Sequence, residues 1–264
     1  MYTKLIMRLD NKTILITGAN RGIGRALAEE LALRSVHLVL GMRDANAYKP
    51  IKISNALSIT AIELDLSSRQ SIDDCLEAAH DTLSSVDILI NNAGQFTAGP
   101  LADQDLSAIY SLIQVNLTGL MHLTARLLPF LAKRDEAKIV NNASIAGYVY
   151  LPQNSTYSAS KAGVVAFSEA LRRELEGTSV SVLHLVTPGV DTDMLTRVEE
   201  IYESNGSPIH LNKIKPQEWA KKIIRAIESD KVILSPNGTE GLLKIIAKGP
   251  YLLMDLVSRR MFRR

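Results

Sequence analysis

At 264 residues and 46% hydrophobic content, the chain is long enough to bury one large core, and no linker or repeat marks a second one. The formal charge of +2 is too near balance to suggest a nucleic-acid partner. Cys75 is the only cysteine, which excludes an internal disulfide and fits a reducing compartment. The N-terminal apolar run between Lys4 and Arg8 is too short for a signal peptide, and no uncharged apolar run reaches the roughly 18 residues of a membrane span. A cytoplasmic protein is expected.

Residues 13–17, TILIT, form a β-branched run that reads as a buried strand. The glycine-rich turn GANRGIG follows at 18–24, then an apolar-periodic helix over 25–33. Strand, glycine turn and helix are the setting of a phosphate-binding loop. Glycines allow close backbone approach, and the helix N-terminus offers free N–H groups and a partial positive charge. The spacing is G-x-x-x-G-x-G rather than G-x-G-x-x-G. Residues 36–40, VHLVL, read as the second strand, closed by Gly41, Met42 and Arg43. In NAD sites an acidic residue near the end of this strand takes the ribose 2′-hydroxyl. Here Arg43 and the turn's Arg21 offer guanidinium forks that suit a 2′-phosphate, so NADP(H) is the expected cofactor. A strand ending later would instead make Asp44 the ribose ligand.

The third strand is read at 58–64, followed by Asp65 and Leu66, with a helix over 69–84. The fourth, 86–90, opens into Asn91, Asn92, Ala93 and Gly94. This alternation implies an α/β domain with a parallel sheet covered by helices on both faces. Residues 105–133 read as one long helix or two. Asn116 inside them lowers helix propensity and needs a reason. His122 reads as a packing or surface residue, with no partner at metal-site spacing, and no metal is expected.

An apolar run at 138–140 leads to SIAGYVYLPQNSTYSASK at 144–161. Tyr157 and Lys161 stand four apart at the start of a helix that continues to 176, so they share one face. The ammonium is expected to favour the phenolate and lower the tyrosine pKa from about 10, readying it for proton transfer. Ser144, at a strand's carboxyl end, can donate to a carbonyl oxygen beside the phenol. The sixth strand is read at 180–186, and residues 187–192 follow at its end. Residues 194–215 read as a polar, irregular loop or lid, 216–229 as a helix with proline at its start, and 232–235 as the last strand. Beyond 238, six cations face two carboxylates, a balance of +4, with apolar residues interleaved. That tail reads either as a helix packed on the domain or a partner subunit, or as an amphipathic segment on an anionic membrane.

The ordered set TGANRGIG at 17–24, Asp65-Leu66, NNAG at 91–94, Asn116, Ser144 and YSASK at 157–161 resembles the short-chain dehydrogenase/reductase family over residues 12–234. The resemblance implies a Rossmann-type, doubly wound, seven-stranded parallel sheet in a single domain, 1–238, with 239–264 as a separate basic tail. It implies hydride transfer between a nicotinamide and a carbonyl or hydroxyl carbon. It makes Tyr157 the general acid/base, Lys161 the holder of the nicotinamide ribose, Ser144 a donor to the substrate oxygen, and Asn116 the anchor of a water next to Lys161. Cofactor contacts are then expected from Thr17, Gly18, Asn20, Arg21, Gly22, Ile23, Gly24, Arg43, Asp65, Leu66, Asn92, Ala93, Gly94, Tyr157, Lys161, Val190 and Thr192. The segment from Pro188 to Thr192 is one residue shorter than the family's usual Pro-Gly-x-x-x-Thr.

The expected activity is an NADPH-dependent carbonyl reductase or alcohol dehydrogenase. The alternatives are an NAD(P)+-dependent alcohol or hydroxysteroid dehydrogenase and a non-catalytic NADP(H) sensor. Residues 95–103, 148–155 and 193–215 are expected to line the substrate cleft, and within or beside them Leu101, Tyr148, Val149, Tyr150, Leu151, Met194 and Leu195 suggest an apolar pocket, with Arg197 available to one carboxylate. The resemblance also implies a homodimer or homotetramer built on the helices carrying Asn116 and Tyr157.

Overall fold

The structure is a computed structural model that describes residues 7–206, 209 and 212–236. The basic tail and the N-terminal run lie outside the described residues. Seven strands are present: β1 (Thr13–Thr17), β2 (His37–Met42), β3 (Ser58–Glu63), β4 (Ile88–Asn91), β5 (Ala137–Asn142), β6 (Val180–Leu185) and β7 (Ile233–Leu234). They pair in parallel in the order β3-β2-β1-β4-β5-β6-β7. Successive side chains on a strand face opposite sides. Ile14, Ile16, Leu38 and Leu40 therefore enter one core layer, with α1 (Gly22–Leu31) and α8 (Pro216–Glu228). Leu15, Val39, Leu89 and Ile139 enter the other. That second layer is covered by α2 (Arg69–Ala78), α3 (His80–Ser84), α5 (Gly119–Leu131) and α6 (Ser155–Glu174). Burial on both faces explains why the central strands read as continuous apolar runs. The strand order reverses between β1 and β4, which opens a crevice at their carboxyl ends.

Several expectations are adjusted. The first helix begins at Gly22, inside the glycine turn, and β2 runs on to Met42. The expected helix over 69–84 is broken at Ala79, whose φ of −109° and ψ of 24° leave helical geometry. The stretch read as one or two helices is a single run, α4 (Leu106–Ile113) and α5 joined by a π-turn at Gln114–Thr118. This run, Leu106–Leu131, is long and apolar enough to cross a membrane by length and composition alone, which the search for uncharged runs missed. In the fold it is a domain helix, with Leu112, Leu120, Leu123 and Leu127 buried.

The segment read as an irregular loop from 194 begins with a helix, α7 (Asp193–Ser204). Its polar composition hides a stripe of Leu195, Val198 and Tyr202 at helical spacing. Leu195 and Tyr202 are buried, and the Tyr202 hydroxyl donates to the Pro152 carbonyl at 2.8 Å.

Candidate active site

The turn between β1 and α1 is held from behind. Gly18 adopts φ +66°, and a Cβ there would lie 2.9 Å from the Ala93 Cα. A Cβ on Gly24 would meet the Gly18 carbonyl oxygen at 2.2 Å, so only glycine lets α1 pack this close to the turn. The Thr17 hydroxyl accepts the amide N–H groups of Asn92 and Ala93, at 3.0 and 2.9 Å. Asn92 Nδ2 donates to the Thr17 carbonyl at 3.0 Å. Thr17 and Gly24 thus tie the turn to the loop after β4 and do not line the cleft, whereas the other expected cofactor residues line it. No side chain caps α1 at Arg21, so its first-turn amides are left open toward the cleft.

Past β2, Arg43 and Arg21 line the cleft. Asp44 does not. Its carboxylate accepts the Asn46 amide at 2.9 Å and caps a short turn at Ala45–Ala47, although the strand ends later than 40. The glycine turn, the uncapped helix start and the two arginines fit a dinucleotide phosphate chain and a 2′-phosphate.

Asn116 sits in the π-turn and is buried. Its Oδ1 accepts the Gln95 amide at 2.7 Å, and its Nδ2 donates to the Gln95 carbonyl at 3.0 Å and to the Ser160 hydroxyl at 3.1 Å. The mid-helix asparagine therefore holds the loop after β4 against α6. It lies behind the cleft wall, and Gly94 intervenes between it and Lys161.

Ser144, Tyr157 and Lys161 meet in the cleft. The Ser144 hydroxyl accepts the Ala146 amide at 3.2 Å and hydrogen-bonds Tyr157. Lys161 Nζ lies 5.8 Å from the Tyr157 ring centre and donates to the Asn142 carbonyl at 2.8 Å. The expected lowering of the tyrosine pKa is overturned. Burial pushes the Tyr157 phenol up to about 12, and only the Ser144 hydrogen bond works in the opposite direction. Burial also lowers Lys161 to about 8. The ammonium gives one of its three N–H donors to the Asn142 carbonyl, and withdrawal from water dominates both groups.

The cleft, about 370 Å³ in all, continues beyond the reacting centre between Val149, Leu151, Met194, Leu195, Val198 and Tyr202. Phe96 packs edge-on against Tyr157, with ring centres 4.9 Å apart. Of the expected apolar lining, Leu101 and Tyr150 are exposed, and Tyr148 is buried outside the cleft with its hydroxyl 2.9 Å from His184 Nε2. Arg197 is exposed and outside the cleft. Phe96, Asn154, Val198, Tyr202 and Ile209, from the three segments expected to line the substrate cleft, line it as well, although none was named individually. The stripe Leu195, Val198, Tyr202 was the available signal for two of them. His122 bonds Asp73 on α2 at 3.2 Å, a packing role.

Residues 12–203 match the model of the short chain dehydrogenase family. A ketoacyl reductase named HetN, from Nostoc sp. strain PCC 7120, is 34% identical over 246 residues, covering 90% of this chain and 84% of that one. An uncharacterized oxidoreductase of Staphylococcus epidermidis is 31% identical over 187 residues, covering 71% and 81%. Among solved structures, a short-chain dehydrogenase/reductase of Burkholderia phymatum in complex with NAD superposes with a TM-score of 0.80 at 25% identity, over 96% of this chain and 97% of that one. One of Burkholderia cenocepacia J2315 in complex with NADP gives 0.78 at 24%, over 98% and 100%, a likeness of fold. The chain belongs to the short-chain dehydrogenase family. It is an oxidoreductase with the family's nicotinamide-cofactor fold.

Proposed function

We propose that this short-chain dehydrogenase is an NADPH-dependent reductase of a carbonyl group on an apolar organic substrate. One observation carries the reading: Ser144, Tyr157 and Lys161 converge midway along one cleft, between an arginine-flanked helix N-terminus and an apolar end. When bound, the nicotinamide supplies a hydride to the carbonyl carbon. Ser144 donates a hydrogen bond to the substrate oxygen and orients it. Tyr157, protonated throughout the neutral range because burial holds its pKa near 12, gives its proton to that oxygen as negative charge develops there. Lys161 holds the nicotinamide ribose and places a positive charge beside the phenolate that remains. Run in reverse, the same residues oxidise an alcohol. Arg21 and Arg43 take the 2′-phosphate. Asn116 acts behind the reacting centre, next to Gly94 and Lys161, by fixing Gln95 and Ser160.

The test is Tyr157→Phe. The variant is expected to bind NADPH as the parent does and to lose at least a hundredfold in kcat. Parent-like turnover in the variant would remove Tyr157 from the mechanism. Because one relative is named a ketoacyl reductase, 3-oxoacyl compounds belong in the substrate panel beside ketones and aldehydes. The exposed Leu106 and Tyr110 on α4 support a homo-oligomer built on that face, for which light scattering is the measurement. A cytoplasmic location and a membrane-touching basic tail complete the proposal. Liposome pelleting of the full chain against one truncated after Gly238 tests the tail.

A further inference from the structure

A line of hydrogen bonds runs through the cleft wall along the carboxyl ends of four neighbouring strands. Its direction is forced from both ends. The Trp219 indole N–H on α8 can only donate, and it donates to the Thr187 hydroxyl at 3.2 Å. At the other end the Thr17 carbonyl can only accept, and it takes Asn92 Nδ2 at 3.0 Å. Asn92 therefore turns its Oδ1 to Asn142, whose Nδ2 donates to it at 3.1 Å. That leaves Asn142 Oδ1 facing Thr187, whose one hydroxyl proton goes to it at 2.5 Å. Thr17 ends β1, Asn92 follows β4, Asn142 ends β5 and Thr187 follows β6, so the line runs from α8 to the glycine turn in the order of the sheet. Trp219, Thr187 and Asn142 are buried. Bonds aligned in this way strengthen one another, and a break leaves buried groups unpaired.

Two parts of the reacting centre hang on this line. The Asn142 carbonyl accepts the Lys161 ammonium at 2.8 Å. The Thr187 carbonyl accepts the amide of Ile145, the residue after Ser144, at 3.0 Å. Lys161 carries its charge on a flexible four-carbon stem, so its place depends on what anchors the ammonium. The anchoring carbonyl belongs to a residue whose side chain is tied on both sides, to Thr187 and to Asn92. We infer that Asn142 and Thr187 are positioning residues for the reduction: their hydrogen-bonded pair fixes the Lys161 ammonium beside Tyr157 and in register with the glycine turn. Neither side chain needs to touch the reacting atoms. The inference rests on the reductase reading above, in which Lys161 holds the nicotinamide ribose and faces the phenolate.

The experiment compares Thr187→Val, which keeps the shape and removes the hydroxyl, with Thr187→Ser, which keeps the hydroxyl. Trp219→Phe is the control, because it removes the outermost bond and leaves Asn142 held. The readouts are kcat and KM on the carbonyl compound that the parent reduces fastest, nucleotide affinity by fluorescence titration, and melting temperature. Thr187→Val is expected to lose about tenfold or more in kcat with KM changed by less than about twofold, and to bind nucleotide about three- to tenfold more weakly. Thr187→Ser is expected to stay within about twofold of the parent in kcat and in nucleotide affinity. Thr187→Val and Trp219→Phe are both expected to melt lower, and only the first to lose kcat. A parent-like kcat in Thr187→Val with a lowered melting temperature marks the line as structural and overturns the inference. So does a loss confined to KM, an equal loss in Thr187→Ser, or an equal loss of kcat in Trp219→Phe. If Thr187→Val does not fold, Asn142→Ala, which keeps the carbonyl but frees it from both neighbours, is expected to lose kcat to the same extent, and a parent-like kcat overturns the inference. Absence of turnover by the parent refutes the reductase reading alone. Titration with whichever of NADPH and NADH the parent binds more tightly then decides. Weaker binding to Thr187→Val with parent-like binding to Thr187→Ser supports the role, and equal binding to all three, or none to the parent, overturns it.

Discussion

Lys161 is 5% exposed, and its pKa falls from the ordinary 10.5 to about 8 because burial penalises the charged form. Each tenfold change in the proton equilibrium is worth about 1.4 kcal/mol, so keeping this lysine charged at neutral pH costs the folded protein about 3 kcal/mol. The folded pKa lies below the unfolded one. Between about pH 8 and 10.5 the unfolded chain therefore binds more protons, and stability contributed by this group rises with pH across that window. Below pH 8 the cost is present in full. Lys161→Met removes it and also removes the hydrogen bond to the Asn142 carbonyl, worth about 1.5–3 kcal/mol because its donor is charged. The variant is then as stable as the parent or up to about 1.5 kcal/mol more stable at pH 7, a rise of at most roughly 3–6 °C in melting temperature for a chain of this size. The advantage shrinks by pH 10. The Tyr157 pKa of about 12 acts only above pH 10, where a raised phenol pKa loses stability, so it does not mask the effect. Scanning calorimetry of both proteins without nucleotide at pH 7, 8, 9 and 10 is the assay. A variant less stable than the parent at pH 7, or a difference that ignores pH, refutes the reasoning.

Thr17→Val keeps the shape but leaves the Asn92 and Ala93 amides without their acceptor. A loss of about 2–4 kcal/mol is expected, read as a lowered urea midpoint, together with weaker nucleotide binding. A parent-like midpoint would show that the two amides find other partners. Arg43→Ala is expected to weaken NADPH at least tenfold while leaving NADH nearly unchanged in a fluorescence titration, since the proposed role of the guanidinium is to meet only the 2′-phosphate. An equal loss for both cofactors would move Arg43 to another role, and a parent that prefers NADH would do the same for the whole 2′-phosphate reading.

The reading that survived best concerns neighbours in sequence. Strand, glycine turn and helix at β1 and α1 depend on local conformational preference and on period-2 and period-3.6 burial. The Tyr157–Lys161 pair depends only on helical spacing, so it too was legible. The helix α7 was not, because its stripe of Leu195, Val198 and Tyr202 is diluted by charged residues, and burial against the segment carrying Pro152 decides the outcome. The role of Asn116 was half legible. Its poor fit to a helix was visible, but not the π-turn or its bonds to Gln95 and Ser160, which join residues 21 and 44 positions away.

The residues alone therefore determined the α/β class, the phosphate-type turn and the identities of Ser144, Tyr157 and Lys161, because each follows from short-range pattern. Only the tertiary structure decided which way those groups titrate. The sequence places an ammonium beside a phenol and predicts a lowered pKa. The fold withdraws both from water and directs the ammonium to Asn142, so Tyr157 rises and Lys161 falls. Solvation and long-range hydrogen bonds are set by segments far apart in the chain, which short-range pattern does not contain.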